Sequence, residues 1–173
     1  NGFGQMSRQF HRAIRENLLR DPWAGKRKPV LINNWEATEF NFDAELLVGI
    51  ARSAAGLGME MFVMDDGWFG KRNTDYSSLG DWQVDQKKLP GGLEALVPRI
   101  QKLGMTFGLW VEPEMVSEDS DLYRAHPDWA LGIPGRAQTL GRSQMVLDFS
   151  RREVRDHIYG ELRKVLNSAE IAY

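Results

Sequence analysis

The chain has 173 residues, 42% of them hydrophobic and 27% charged, with a formal net charge of −2. That is ordinary globular composition, long enough for one domain with a sizeable core, and its charge balance offers nothing to nucleic acid or a membrane surface. There is no cysteine, which excludes disulfides and thiolate metal sites, and no apolar run approaches the roughly 18 residues of a spanning helix. The opening Asn1-Gly-Phe-Gly lacks a Met and reads as the interior of a longer protein, and cytoplasmic is the expected compartment. Six Trp, seven Met and eight Phe suit either a large core or a carbohydrate site.

In chain order, Phe10, Ile14 and Leu18 lie four apart and predict a basic helix over 6–19, stopped by Asp21-Pro22. Lys26-Arg27-Lys28 reads as a solvated linker, so residues 1–28 form a helix and linker leading into a domain over 29–173. A first strand over 30–34 ends in Asn33-Asn34-Trp35-Glu36. Asp43 is placed to cap a helix over 44–57, with Leu46, Leu47, Ile50 and Ala54 on one face. The run 59–64 is too short for a helix and has the apolar continuity of a strand buried on both faces; it ends in Asp65-Asp66-Gly67-Trp68.

Residues 71–88 are polar and long for a simple loop. A second helix over 93–103 is closed by Gly104, and a third strand over 105–111 ends in Trp110-Val-Glu-Pro-Glu114. A second long excursion covers 117–143. Residues 145–149 are strand-like and expected to return the chain to the scaffold, Ser150 or Asp148 then caps a helix reaching Leu166, and 170–173 begin another strand.

Strands alternating with helices predict parallel βαβ units. Neither G-x-G-x-x-G after a strand nor G-x-x-x-x-G-K-[ST] occurs, so nucleotide folds lose their main support. Each strand end carries a Trp or an acid instead, the distribution expected of a barrel whose site is assembled from several strand ends. A (β/α)8 barrel needs about 250 residues. Three βα units and the start of a fourth strand therefore amount to a partial TIM barrel.

Asp65 and Asp66 sit where a strand leaves the core, the end at which parallel α/β folds bind ligands. Carboxylates accept hydroxyl hydrogen bonds and indole faces pack on sugar C–H surfaces, so two acids followed by Trp68 point to a polyhydroxylated ligand. The bland alternative is one acid capping the turn before Gly67. A hard cation needs six or so oxygens and no D-x-D-x-D-G pattern is present. Adjacent strand residues face opposite ways, so the two cannot flank a scissile bond as a catalytic pair. Trp35 and Trp110 close strands at matching ends, as core or as site. Glu112 and Glu114 flank Pro113, and Arg142 either forks onto a ligand or lies on the surface. His11, His126 and His157 have no metal spacing, and no G-x-S-x-G elbow is present.

With these residues in hand, the chain resembles the catalytic domain of family 36 glycoside hydrolases, the bacterial and fungal-type α-galactosidases. The matching motifs are Pro29-Val-Leu-Ile-Asn-Asn-Trp-Glu-Ala37, Asp65-Asp-Gly-Trp-Phe-Gly70, Gly80-Asp-Trp82, Phe107-Gly-Leu-Trp-Val-Glu-Pro-Glu-Met115 and Gly141-Arg-Ser-Gln-Met-Val-Leu-Asp148. The resemblance implies a retaining hydrolase of terminal α-galactosides such as melibiose and raffinose-type sugars, without cofactor or metal, often a homotetramer. Asp65 and Asp66 would bind galactose hydroxyls, Trp35 and Trp110 would wall the sugar, and Arg142 would serve the polar side. The family's nucleophile lies in a Lys-Trp-Asp-Met-Asn segment on the fourth strand, with the acid/base further on. Both are expected beyond Tyr173, so no catalytic residue is assigned within the chain. The alternative is a non-catalytic half-barrel that binds carbohydrate or self-assembles.

Overall fold

The structure, a computed structural model, describes residues 2–19, 25–133, 135–137 and 140–173. The chain divides into two compact units, Asn1–Val30 and Leu31–Tyr173. The first contains α1, Phe3–Asn17, which has no buried residue; Phe3, Met6, Phe10 and Ile14 are all exposed on it. The expected stop at Asp21-Pro22 lies outside the described residues.

The second unit is built on three short parallel strands, β1 Leu31–Asn33, β2 Met61–Met64 and β3 Thr106–Leu109, hydrogen-bonded in that order. Register runs Asn33↔Val63 and Val63↔Gly108, so the three C-terminal ends lie level. β2 is central and every one of its side chains is buried, which is why an unbroken apolar run was required there. Gly108 answers a packing constraint. A Cβ there would meet Val63 Cγ2 at 3.0 Å and the Tyr173 ring at 3.1 Å.

Between β1 and β2 come the one-turn helix α2, Trp35–Thr38, and α3, Ala44–Gly56. Asp43 caps α3 as expected, accepting from Leu46 N at 2.8 Å. The buried face is Leu47, Val48, Ala51 and Ala54, while Leu46 is 46% exposed. The helix is therefore rotated about one residue from the expected face, with the small Ala51 and Ala54 turned inward. Between β2 and β3 comes α4, Gly92–Gln101. Gly104 turns the chain into β3 with φ +82°, the left-handed conformation expected of a helix-closing glycine.

Two expectations are corrected, one for a strand and one for a helix cap. Residues 144–146 form β5, which pairs antiparallel with β4, Met115–Ser117, in a separate ribbon and does not rejoin the parallel sheet. Between these strands lies α5, Asp121–Ala125. The last helix, α6 Arg152–Leu166, has no side-chain cap. Asp148 Oδ1 accepts instead from the backbone N and hydroxyl of Ser150, a local turn that uses both candidate capping residues on each other. After α6 the chain comes alongside β3, with Ala172 N donating to Phe107 O and Leu109 N to Tyr173 O, which supports the start of a further strand at 170–173.

Candidate carbohydrate site at the strand ends

The C-terminal edge of the sheet gathers the predicted residues from three consecutive strand ends. Asn33 and Asn34 leave β1, Asp65 and Asp66 leave β2, and Trp110 leaves β3, its N–H bonded to Met64 O at 2.8 Å. Trp35 does not close β1 as expected; it opens α2, its N–H donating to Asn33 Oδ1 at 2.7 Å and its ring edge-on to Phe40 at 5.0 Å. Both Trp35 and Trp110 are half-buried, each keeping part of its surface open at this edge.

The two acids have different surroundings. Asp65 is half-buried, accepts from Asn33 Nδ2 through Oδ2, and turns Oδ1 onto the Asp66 N–H at 2.7 Å. Its own N–H donates to the buried Asn34 Oδ1 at 2.9 Å. Asp66 is 2% exposed, and the fully buried Arg72 grips it with Nε at 2.9 Å from Oδ1 and NH2 at 2.7 Å from Oδ2. A buried carboxylate is sustained only by such a partner, and the forked guanidinium fixes both its charge and its plane. Arg72 NH1 spends its bond on Ser77 O at 2.8 Å, which ties the long loop after β2 to the same centre.

That loop is polar in sequence yet built into the core. Leu79, Trp82 and Leu89 are buried, and Trp82 packs among Trp68, Phe69 and Trp110 with ring centroids 4.5–6.5 Å apart. Trp68 is itself fully buried, its Nε1 donating to Trp110 O at 2.9 Å, so it braces the site from beneath rather than facing a ligand. Lys88 is the second brace. Its Nζ donates to Phe40 O, Gly67 O and Arg72 O at 2.8–3.0 Å, joining the loops that follow β1 and β2, and burial holds its pKa below the ordinary lysine value. Gly67 has φ +106°, and a Cβ there would press on the Phe40 and Phe42 rings at 3.1–3.2 Å. Only glycine lets the chain turn directly behind the two acids. Asp81 acts at a distance, taking Asp121 N and Leu122 N to cap α5; burial raises its pKa against those two N–H groups.

Arg142 reaches this edge from the ribbon. It and Ser143 are the central residues of a tight turn closed by Gln144 N donating to Gly141 O at 3.1 Å, with φ of +52° and +59°. Two consecutive non-glycine residues at positive φ cost on the order of 1 kcal/mol or more each. The guanidinium is 55% exposed and bonds Asp75 Oδ1 at 2.6 Å, the contact that chiefly raises its pKa, with Glu112 and Asp66 adding smaller attractions. Glu112 is held above the ordinary glutamate range by burial first and by neighbouring Glu114 second, and accepts from Gln144 Nε2 at 3.2 Å. Glu114 is exposed.

All five predicted residues thus lie in one unit at or facing one sheet edge. Sequence reasoning missed Arg72, Lys88, Asp75, Asn33 and Asn34. Asn33 and Asn34 carried a signal, being the polar end of the β1 run. Arg72, Asp75 and Lys88 sit in a stretch whose composition looks solvated. His126 and His157 pack on Trp129 at 4.0 and 5.4 Å, and among the described residues no group of three or more His, Cys, Asp or Glu is arranged to hold a metal ion.

The family model for Melibiase matches residues 1–173. The chain belongs to the melibiase family. It is 52% identical over 172 residues to the bifunctional alpha-galactosidase/sucrose kinase AgaSK of Mediterraneibacter gnavus, covering 99% of this chain and 18% of that protein. It is also 52% identical over 172 residues to the alpha-galactosidase AgaA of Geobacillus stearothermophilus, covering 99% and 24%. A crystal structure of a double variant of AgaA, a glycoside hydrolase family 36 alpha-galactosidase in complex with raffinose, superposes with a TM-score of 0.93 at 51% identity, covering all of this chain and 24% of that one. The chain therefore spans about a quarter or less of the length of these relatives. No helix among the described residues is long and apolar enough to cross a membrane.

Proposed function

We propose that this melibiase segment is the galactose-recognising first part of the (β/α)8 catalytic barrel of a retaining α-galactosidase, about three βα units and the start of a fourth strand. The supporting observation is the level edge of β1, β2 and β3, where the Asp65-Asp66 pair lies between the partly open Trp35 and Trp110 in a chain half identical to α-galactosidases. In this reading Asp65 and Asp66 accept galactose hydroxyls, Trp35 and Trp110 wall the ring, and Arg142 supplies donors on the polar side. A site that bonds a particular hydroxyl rejects the sugar that misplaces it.

The substrates are terminal α-galactosides of the melibiose and raffinose type; the AgaA structure in complex with raffinose supports that class. The nucleophile and the acid/base are supplied by later strands, through two carboxylates roughly 5–5.5 Å apart. Residues 1–28 lead into the barrel at 29–173, and the complete enzyme is a cytoplasmic homotetramer that uses no cofactor. These assignments of domain, assembly and compartment rest on the resemblance and the sequence.

The test is hydrolysis of p-nitrophenyl α-galactoside by the 173 residues alone and by the complete enzyme made by placing them in the matching segment of AgaA. Turnover is expected only from the complete enzyme. Turnover by the segment alone would defeat the assignment of the nucleophile and acid/base to later strands. A second reading, a self-associating half-barrel, draws on β1, whose one described strand partner is β2. It requires a dimeric mass for the isolated segment in solution.

A further inference from the structure

Two of the groups assigned to the sugar come from parts of the chain far apart in sequence, Asp66 at the end of β2 and Arg142 in the turn before β5, yet they are joined by an unbroken run of alternating charges. Arg72 forks onto Asp66 at 2.7–2.9 Å; Arg72 NH2 lies 4.0 Å from Asp75 Oδ1; and that same Asp75 oxygen bonds Arg142 NH2 at 2.6 Å. Arg72 is fully buried, with Nε and NH2 spent on Asp66 and NH1 on Ser77 O. Asp75 is 43% exposed and already committed to Arg142. Arg142 stands on backbone at φ +52°, a conformation that a non-glycine residue keeps only when its surroundings hold it there.

We propose that Arg72 and Asp75 are positioning residues, which act on the substrate through Asp66 and Arg142 and set the separation of those two groups across the sugar. The inference rests on the reading of Asp66 and Arg142 as galactose ligands. A bidentate guanidinium fixes the plane of the carboxylate it holds, which a lysine, as a point charge, cannot do. Asp75 restrains the otherwise free end of the Arg142 side chain, removing rotamer freedom that substrate binding would otherwise have to remove.

The experiment measures KM and kcat for p-nitrophenyl α-galactoside in the complete enzyme built on AgaA. Asp75→Asn is expected to raise KM about three- to fivefold, the scale of an exposed ion pair, with kcat within about twofold. In an Arg142→Ala background the same substitution is expected to change KM by less than about 1.5-fold, because the side chain through which Asp75 reaches the sugar is gone. Arg72→Lys is expected to raise KM by roughly tenfold or more. If Arg72→Lys does not fold, the exposed Asp75→Asn pair of measurements decides alone. An unchanged KM in Asp75→Asn, or an equal loss with and without Arg142, overturns the inference. Failure of the underlying reading looks different: Asp66→Asn and Arg142→Ala would then themselves leave KM unchanged.

Discussion

The β2 end and the turn before β5 present their polar groups by opposite means. Asp66 is 2% exposed and gripped by the buried Arg72, in a loop that the Lys88 brace and the Gly67 turn hold in place, so losing the arginine strands a buried charge, losing the lysine strands three carbonyls, and filling the glycine adds a clash. Arg142 is 55% exposed, supported by one carboxylate and a backbone turn at positive φ. The first arrangement makes recognition and folding inseparable. The second lets a contact be tuned at little cost to the fold, because surface ion pairs contribute about 0–1 kcal/mol. A site assembled from both kinds has a rigid wall and an adjustable one.

Substitutions on the rigid side test this contrast with the largest effects. Arg72→Met leaves Asp66 as an unpaired buried charge and is expected to destabilise the chain by about 3–5 kcal/mol, read as a lowered urea midpoint at unchanged slope. Lys88→Met removes the shared donor of three carbonyls and is expected to cost about 2–3 kcal/mol by the same measurement. A loss below about 1 kcal/mol in either would erase the distinction between the two walls.

On the adjustable side the expected sign reverses. Arg142→Gly relieves a positive-φ backbone and is expected to leave stability unchanged or raise it by up to about 1 kcal/mol, while KM in the complete enzyme rises. Concurrent loss of stability would place Arg142 with the rigid group. The smallest effect concerns Glu112. Its folded pKa is raised by burial, so the favourable contribution of the protonated form is present below the ordinary value of 4.5 and lost as pH rises through the raised value. Glu112→Gln is therefore expected to raise Tm slightly at neutral pH and not at pH 4; the same shift at both values would locate the effect in packing.

How much of this was legible in the sequence follows the same division. The unbroken apolar run of β2 and the acids at its end were readable because burial on both faces leaves a short, continuous apolar stretch with polar residues at its exit. The Asp43 cap of α3 was readable because capping is local. Arg72 and Lys88 were not, since their partners are a carboxylate six residues back and backbone carbonyls 16 to 48 residues back, and a buried charge in a polar stretch has no periodicity. The strand-like pattern of residues 145–149 points back to the scaffold because propensity does not name the partner, and β4 at residues 115–117 is too short to announce itself. The α3 face was misphased by one residue because Leu46 competes with Ala51 on hydrophobicity alone, while close packing under the sheet prefers the smaller side chain.

The central claim is that the paired acids at the β2 end select galactose, and inhibition of the complete enzyme by free sugars tests it most directly. D-galactose is expected to inhibit hydrolysis of p-nitrophenyl α-galactoside competitively and D-glucose not to, with Asp65→Asn and Asp66→Asn each raising the galactose inhibition constant by about tenfold or more. Equal inhibition by the two sugars, or inhibition constants unmoved by both substitutions, would contradict it.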